Sequence, residues 1–414
     1  MVVVLIVAAG AAWEPPLLEV LGTRPGVVVL RRCVDVDDLL AASSAGRADA
    51  AVVALDAPGL DQAALDLLRR HQVRVVAVAG PGSPEGARTR AARIGVDALT
   101  SADDPSAIAD LLESEGDLPT VPPVDEGDDD LPLAPGAGRV IAVWGPAGAP
   151  GRTTLATSLA AELARRGART TLVDADPYGG SVAQHLGVLD EVSGLLSAAR
   201  LTGDGVLEAR FASVPRALDD RLAVVTGLPR PDRYAEIRSG VVEHLVEVAA
   251  RHGHVVVDTG FSLEDEPAGD LTTRPGRNHL TLGAVDVADE VVVVGSADPI
   301  GLSRLARGLV ELRERRAGAP VRVVVNRMRA SLGWSERDIV GMVEGFARLA
   351  GVHFLPDDRA TADRALVSGS SVAEATDTDL ARALAPLVDA LVPSSVPAHR
   401  RERPRLRPRV RLRR

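Results

Sequence analysis

Runs of valine, isoleucine and leucine recur along the chain, spaced so that one helix fits between each pair. In residues 1–115 the runs VVVLIVA, GVVVLRR, DAAVVALD, VRVVAVAG and the weaker VDALTS alternate with stretches of helical spacing, LLEVLGTR, DDLLAASSAG, QAALDLLRRH and GARTRAARIG. Such alternation predicts a parallel sheet covered on both faces, because near-continuous apolar strands leave no side for water. Residues 116–138, GDLPTVPPVDEGDDDLPLAPGAG, combine Pro, Gly and an acidic cluster without a hydrophobic period, the composition of a solvated linker. From residue 139 the alternation resumes, with strands predicted near RVIAVWG, TTLVDAD, RLAVVTG, HVVVDTG, EVVVVGS, VRVVVNRM and VHFLP. After the first of these, LATSLAAELARRG puts Leu155, Leu159 and Leu163 on one helical face and stops at Gly167. The expected plan is two α/β domains, 1–115 and 139–392, joined by the linker and followed by a tail, 393–414.

Composition supports this plan and adds one asymmetry. A chain of 414 residues with 46% apolar content describes a soluble globular protein of two or three domains. The opening MVVVLIVAAGAA has no positive flank and falls short of the roughly 20 apolar residues of a membrane span, so a cytoplasmic protein is expected. Cys33, the single cysteine, excludes an intrachain disulfide and a thiolate metal site, and its apolar neighbours mark a core residue. All 47 basic residues are arginine. The formal net charge is −10, but residues 400–414 hold nine arginines against one glutamate, so the rest of the chain stands near −18. An acidic body disfavours non-specific nucleic-acid binding. The run from Arg400 to Arg414, interrupted by Pro404 and Pro408, suits extended contact with an anionic membrane, DNA phosphate or the acidic linker, and equally a solvated tail.

The candidate chemistry begins in Val140 to Thr154, VIAVWGPAGAPGRTT, where an apolar strand runs into a Gly/Pro loop and then a helix. A phosphate loop reads G-x-x-x-x-G-K-S/T: backbone amides surround the phosphates, the lysine reaches the terminal ones, and the hydroxyl binds magnesium. Here Pro146 stands at the first glycine, Gly145 comes one residue early, and Arg152 replaces the lysine. Arginine keeps the charge on a broad planar fork. Alone, this pattern also fits a flexible glycine loop. Its companions follow in order: Asp174 and Asp176 close the next strand in LVDADPYGG, and Asp258 closes a later one in HVVVDTG. Strand-end carboxylates beside a phosphate loop serve magnesium and an attacking water. Asn326 ends VVVNRM, where its amide suits a purine edge, and Pro356 and Asp357 end HFLPDD.

Together these motifs resemble the ParA/MinD family of deviant-Walker ATPases over residues 139–392. The shared features are paired threonines after the loop, the DADP segment, an apolar run into DTG, a strand ending in Asn-Arg, and a final PDD. The resemblance implies a MinD-type P-loop fold with ATP and Mg2+ as cofactors. It implies that Gly148, Gly151, Arg152, Thr153 and Thr154 cradle the phosphates and that Thr154 touches the α-phosphate. On the metal side it implies Thr153, Asp174 and Asp258. Asp176 then positions the hydrolytic water with Arg152 on the phosphates, and Asn326 contacts adenine beside Pro356 and Asp357. Two departures bear on turnover: Ala147 stands where the family carries its signature lysine, and Arg152 where it carries the phosphate-binding lysine. Binding without efficient hydrolysis is therefore an alternative.

The N-terminal strands resemble a response-regulator receiver domain, a flavodoxin-like fold, with Asp56 at the phospho-acceptor position. Ala8 and Ala9 replace the acidic pair, Ala79 the hydroxyl and Asp104 the lysine of that family, which implies a degenerate receiver serving as a docking surface. The combined architecture resembles the TadZ/CpaE and actinobacterial septum-site group. That resemblance implies a nucleotide-dependent homodimer, cytoplasmic or peripheral at the inner face of the membrane, which recruits a partner to position septum or pilus machinery. A non-hydrolysing scaffold and a chromosome-partitioning ATPase that binds DNA through its tail are the other readings.

Overall fold

The computed structural model describes residues 1–8, 10–57, 59–60, 62–80, 87–88, 90–91, 94–113, 138–188, 192–265, 275–316, 321–375 and 377–392. Ala9, the linker up to residue 137 and the arginine run from Arg400 to Arg414 lie outside them. The expected α/β architecture is present as two separate sheets.

The first sheet contains β1 (Val2–Val7), β2 (Val27–Arg32), β3 (Ala50–Ala54), β4 (Arg74–Ala79) and β5 (Ala98–Ser101), in the order β2-β1-β3-β4-β5. All its pairs are parallel, the flavodoxin-like doubly wound order with its reversal between β1 and β3. Every residue of β3 is buried, as an apolar run covered on both faces requires. Helices α1 (Glu14–Gly22), α2 (Val36–Ser43), α3 (Gln62–Arg70) and α4 (Pro105–Glu113) cover it. Helix α1 begins three residues before the predicted apolar segment, because prolines fit a first helical turn whose N–H groups need no partner.

The second sheet has eight strands: β6 (Val140–Trp144), β7 (Thr170–Ala175), β8 (Arg216–Ala217), β9 (Leu222–Val225), β10 (His254–Thr259), β11 (Glu290–Ser296), β12 (Val321–Met328) and β13 (Leu349–Pro356). Their order is β13-β12-β11-β6-β10-β7-β9-β8. Only the short edge pair β8 and β9 is antiparallel. From β6 the chain skips one place to β7, returns to fill the gap with β10, then crosses to the other side with β11. The direction of winding therefore reverses at β6, which opens a crevice beyond its carboxyl end.

Besides shorter segments, the helices of this half among the described residues are α5 (Arg152–Arg165), α6 (Gly194–Gly203), α7 (Val241–Ala250), α8 (His279–Val287), α9 (Pro299–Arg315), α10 (Glu336–Val343), α11 (Arg359–Ser368) and α12 (Asp379–Leu391). Helix α5 is buried all round from Leu155 to Ala164, more than its one-faced leucine pattern predicts, because α12 and the turn at Val372–Glu374 cover the side away from the sheet. Its alanines make that double packing possible. Among the described residues, no helix is long and apolar enough to cross a membrane.

The halves meet at α7. Arg90 donates to both carboxylate oxygens of Glu247 at 3.0 Å, and from Nε to the Leu55 carbonyl at 3.0 Å. Arg238 pairs with Asp35 at 3.2 Å. Asp56, next to Leu55, is exposed, and Ala8 is buried.

Candidate functional site

The loop from Gly145 to Gly151 leaves β6 pressed against β11, so tightly that a Cβ on Gly145 would stand 2.5 Å from the Val294 carbonyl. Gly148 and Gly151 take left-handed conformations, φ 77° and 87°, which glycine adopts without strain. Gly151 is the N-cap of α5, so the helix directs its free amides and positive dipole end at the loop. Arg152 folds back, its Nη1 donating to the Gly145 carbonyl at 3.2 Å, and its buried Nε has no partner.

Asp258 of β10 and Asp174 of β7 are in register on adjacent parallel strands, and each is only 1% exposed. The Thr153 hydroxyl donates to Asp258 Oδ2 at 2.7 Å. Oδ1 of Asp258 is buried without a partner. Asp174 instead accepts the backbone N–H groups of Asp176 at 3.3 Å and Val182 at 3.2 Å, while Gly180 and Gly227 close over its carboxylate. Burial pushes the Asp174 carboxyl up to about 7, against the pull of those two N–H groups, and the Asp176 charge adds to the rise. Burial also lifts Asp258 well above the carboxylate range, helped by the neighbouring Asp174 charge and opposed by Thr153 and Arg152. Asp176 is half-buried and accepts from the Tyr178 N–H at 2.8 Å.

The loops after β7 and β10 are joined by residues that motif reading passed over. Tyr178 packs its ring on Phe261, centroids 4.7 Å apart, and its hydroxyl donates to Asn278 Oδ1 at 2.8 Å. Asn278 in turn donates to Ser262 Oγ at 3.1 Å, and Arg277 lies over the rings of Tyr178 and Tyr234. The available signal was rarity: the chain has two tyrosines and four phenylalanines, and Tyr178 and Phe261 each follow a strand-end aspartate within a few residues.

On the other side of the loop, a cavity of about 270 Å3 is lined by Gly151, Thr154, Ser158, Asn326, Pro356 and Asp357, among others, with apolar walls from Val372, Leu380 and Leu384. Asn326 donates from Nδ2 to the Pro150 carbonyl at 3.0 Å and accepts the Arg327 N–H at 2.8 Å. The left-handed Arg327, φ 62°, produces that second contact. The residues singled out from the sequence thus surround one loop in two groups. Arg152, Thr153, Asp174, Asp176 and Asp258 form the charged end; Gly151, Thr154, Asn326, Pro356 and Asp357 form the cavity end. Gly148 belongs to neither and faces α9.

The charged end suits a phosphate with Mg2+. Its oxygens are hard donors, Asp258 Oδ1 is an orphaned buried acceptor, and Thr153 holds the other oxygen. Among the described residues no group of three or more His, Cys, Asp or Glu is arranged to hold a metal. Mg2+ at nucleotide sites takes one or two protein oxygens and completes its shell with phosphate and water.

A glycine loop between a parallel strand and a helix, at the winding reversal and flanked by strand-end carboxylates, defines a P-loop nucleotide-binding protein. Residues 141–365 match the CobQ/CobB/MinD/ParA nucleotide binding domain, and the chain belongs to that family. It is 50% identical over 56 residues to the iron-sulfur cluster carrier protein of Deinococcus radiodurans, covering 14% of this chain and 16% of the relative. It is 30% identical over 163 residues to the chromosome partitioning protein ParA of Myxococcus xanthus, covering 38% of this chain and 51% of the relative. The chain therefore spans about half or less of the length of these curated relatives. The solved structure of a ParA family ATPase from Chlorobium tepidum shares the fold, with a TM-score of 0.50 at 18% identity over 62% of this chain and 98% of that one.

Proposed function

We propose that this chain binds ATP with Mg2+ at the 145–154 loop, hydrolyses it slowly, and acts as a nucleotide-switched positioning protein that dimerises and recruits septum or pilus machinery. The observation that carries the reading is the Thr153–Asp258 hydrogen bond at 2.7 Å beside the aligned Asp174. The loop amides, the α5 N-terminus and Arg152 would bind the phosphates. Thr153 and Asp258 would hold Mg2+, which supplies neutralisation of phosphate charge when bound. Asp174 anchors the backbone of Asp176 and Val182, and Asp176 would orient the attacking water. The Asn326 amide at the cavity would read the base. The Tyr178–Phe261 stack would pass the state of both strand-end loops to one partner surface. The N-terminal sheet, docked on α7 through Arg90, would serve as a degenerate receiver whose role is docking.

ATP binding and phosphate release, measured together on the full chain, test the proposal. Expected are tight binding and slow release that Asp176→Ala abolishes. Tight binding without release, with release restored by Arg152→Lys, supports a non-hydrolysing scaffold instead; no binding at all refutes both.

The similarity to the Myxococcus protein and the nine-arginine run favour a second reading, chromosome partitioning with DNA held by the tail. Salt-sensitive DNA binding that vanishes on deletion of residues 400–414 supports it.

A further inference from the structure

Helix α9 approaches the loop closely because Gly308 has no side chain. A Cβ there would stand 3.0 Å from Trp144 Cη2 and 3.2 Å from Pro146 Cβ. One turn earlier on the same face, Arg304 reaches Gly148. Its Nη1 fills the place a Cβ on Gly148 would take, and its Cζ lies 3.3 Å from that point. Arg304 is exposed and, among the described residues, makes no hydrogen bond or ion pair. A guanidinium without a counter-charge thus points its Nη1 end-on at the left-handed glycine of the phosphate loop.

Resting on the ATP-binding reading above, we infer that Arg304 is a second cation of this loop and contacts the terminal phosphate of a bound nucleoside triphosphate. Three observations point the same way. The cavity lies at the Gly151–Thr154 side and Gly148 does not line it, so a nucleotide with its base there sends its far phosphate toward Gly148. The loop's own cation, Arg152, is folded onto the Gly145 carbonyl. Asp174, Asp176 and Asp258 stand at the neighbouring strand ends and offer no cation, so the charge of a triphosphate has to be met from elsewhere. A planar guanidinium donates two N–H groups to phosphate oxygens, and Arg304 has donors to spare.

The test is equilibrium titration of the full chain with fluorescent ATP and ADP analogues in Mg2+. Arg304→Gln is expected to weaken the triphosphate by about tenfold, the effect of one lost charge-assisted hydrogen bond, and the diphosphate by no more than about twofold. Arg304→Lys is expected to recover part of the loss. Arg307→Gln, on the same helix with its Nε turned to the Ser303 carbonyl, is expected to match the wild type with both nucleotides. All variants are expected to melt like the wild type, since both arginines are exposed. Equal losses for both nucleotides, or no loss, overturn the inference while leaving the ATP-binding reading in place. A wild-type chain that binds neither nucleotide overturns both.

Discussion

Asp258 and Asp174 stand side by side on adjacent parallel strands, and Asp258 alone is tied to the phosphate loop, through the Thr153 hydroxyl. Two carboxylates buried together are a stability cost retained at a place where a cation is expected.

That cost has a pH signature. Both carboxyls are raised in the folded state, Asp174 to about 7. Across roughly pH 4 to 7 the folded chain therefore holds protons that the unfolded chain releases, and stability falls as pH rises through that window. Asp258→Asn removes one charge and keeps an oxygen for Thr153. The expected outcome is a Tm above wild type at pH 8, with the gap narrowing at pH 5, where the folded wild type keeps both carboxyls protonated. An equal or lower Tm at pH 8 counts against the pair being strained.

At the opposite end of the same sheet, Glu290 is buried between two arginines. It accepts from Arg322 Nε at 2.6 Å and from Arg139 Nη2 at 2.8 Å, and Arg322 is itself 8% exposed. Glu290→Ala leaves a buried guanidinium unpaired, and urea denaturation is expected to show a loss of about 3 to 5 kcal/mol. A loss under about 1 kcal/mol would mean that water reaches Arg322.

The Arg90–Glu247 bridge fastens the N-terminal sheet to α7, the helix that leads into β10 and hence to Asp258. A double-mutant cycle with Arg90→Ala and Glu247→Ala is expected to give a coupling of about 1 kcal/mol. Hydrogen exchange along α7 should rise in Arg90→Ala. Additive effects and unchanged exchange would show that the two halves do not hold this contact in solution.

The alternation of apolar runs was enough to read two parallel α/β units and the glycine loop, because strand and helix periodicity is local chemistry. It also placed Asp174, Asp176, Asp258, Asn326 and Pro356 at strand ends, since each closes an apolar run. It did not show the hairpin partner β8, two residues without a hydrophobic pattern, nor the all-round burial of α5 from Leu155 to Ala164, which depends on α12 arriving from over two hundred residues away. Which carboxylates become neighbours was decided by strand order: β10 enters between β6 and β7, so Asp258 lands beside Asp174 and above Thr153. Such crossovers join elements far apart in the chain, and no local window records them. The same holds for Arg304. By sequence it is one of 47 arginines; only the contact of Gly308 with Trp144 and Pro146 brings it over Gly148.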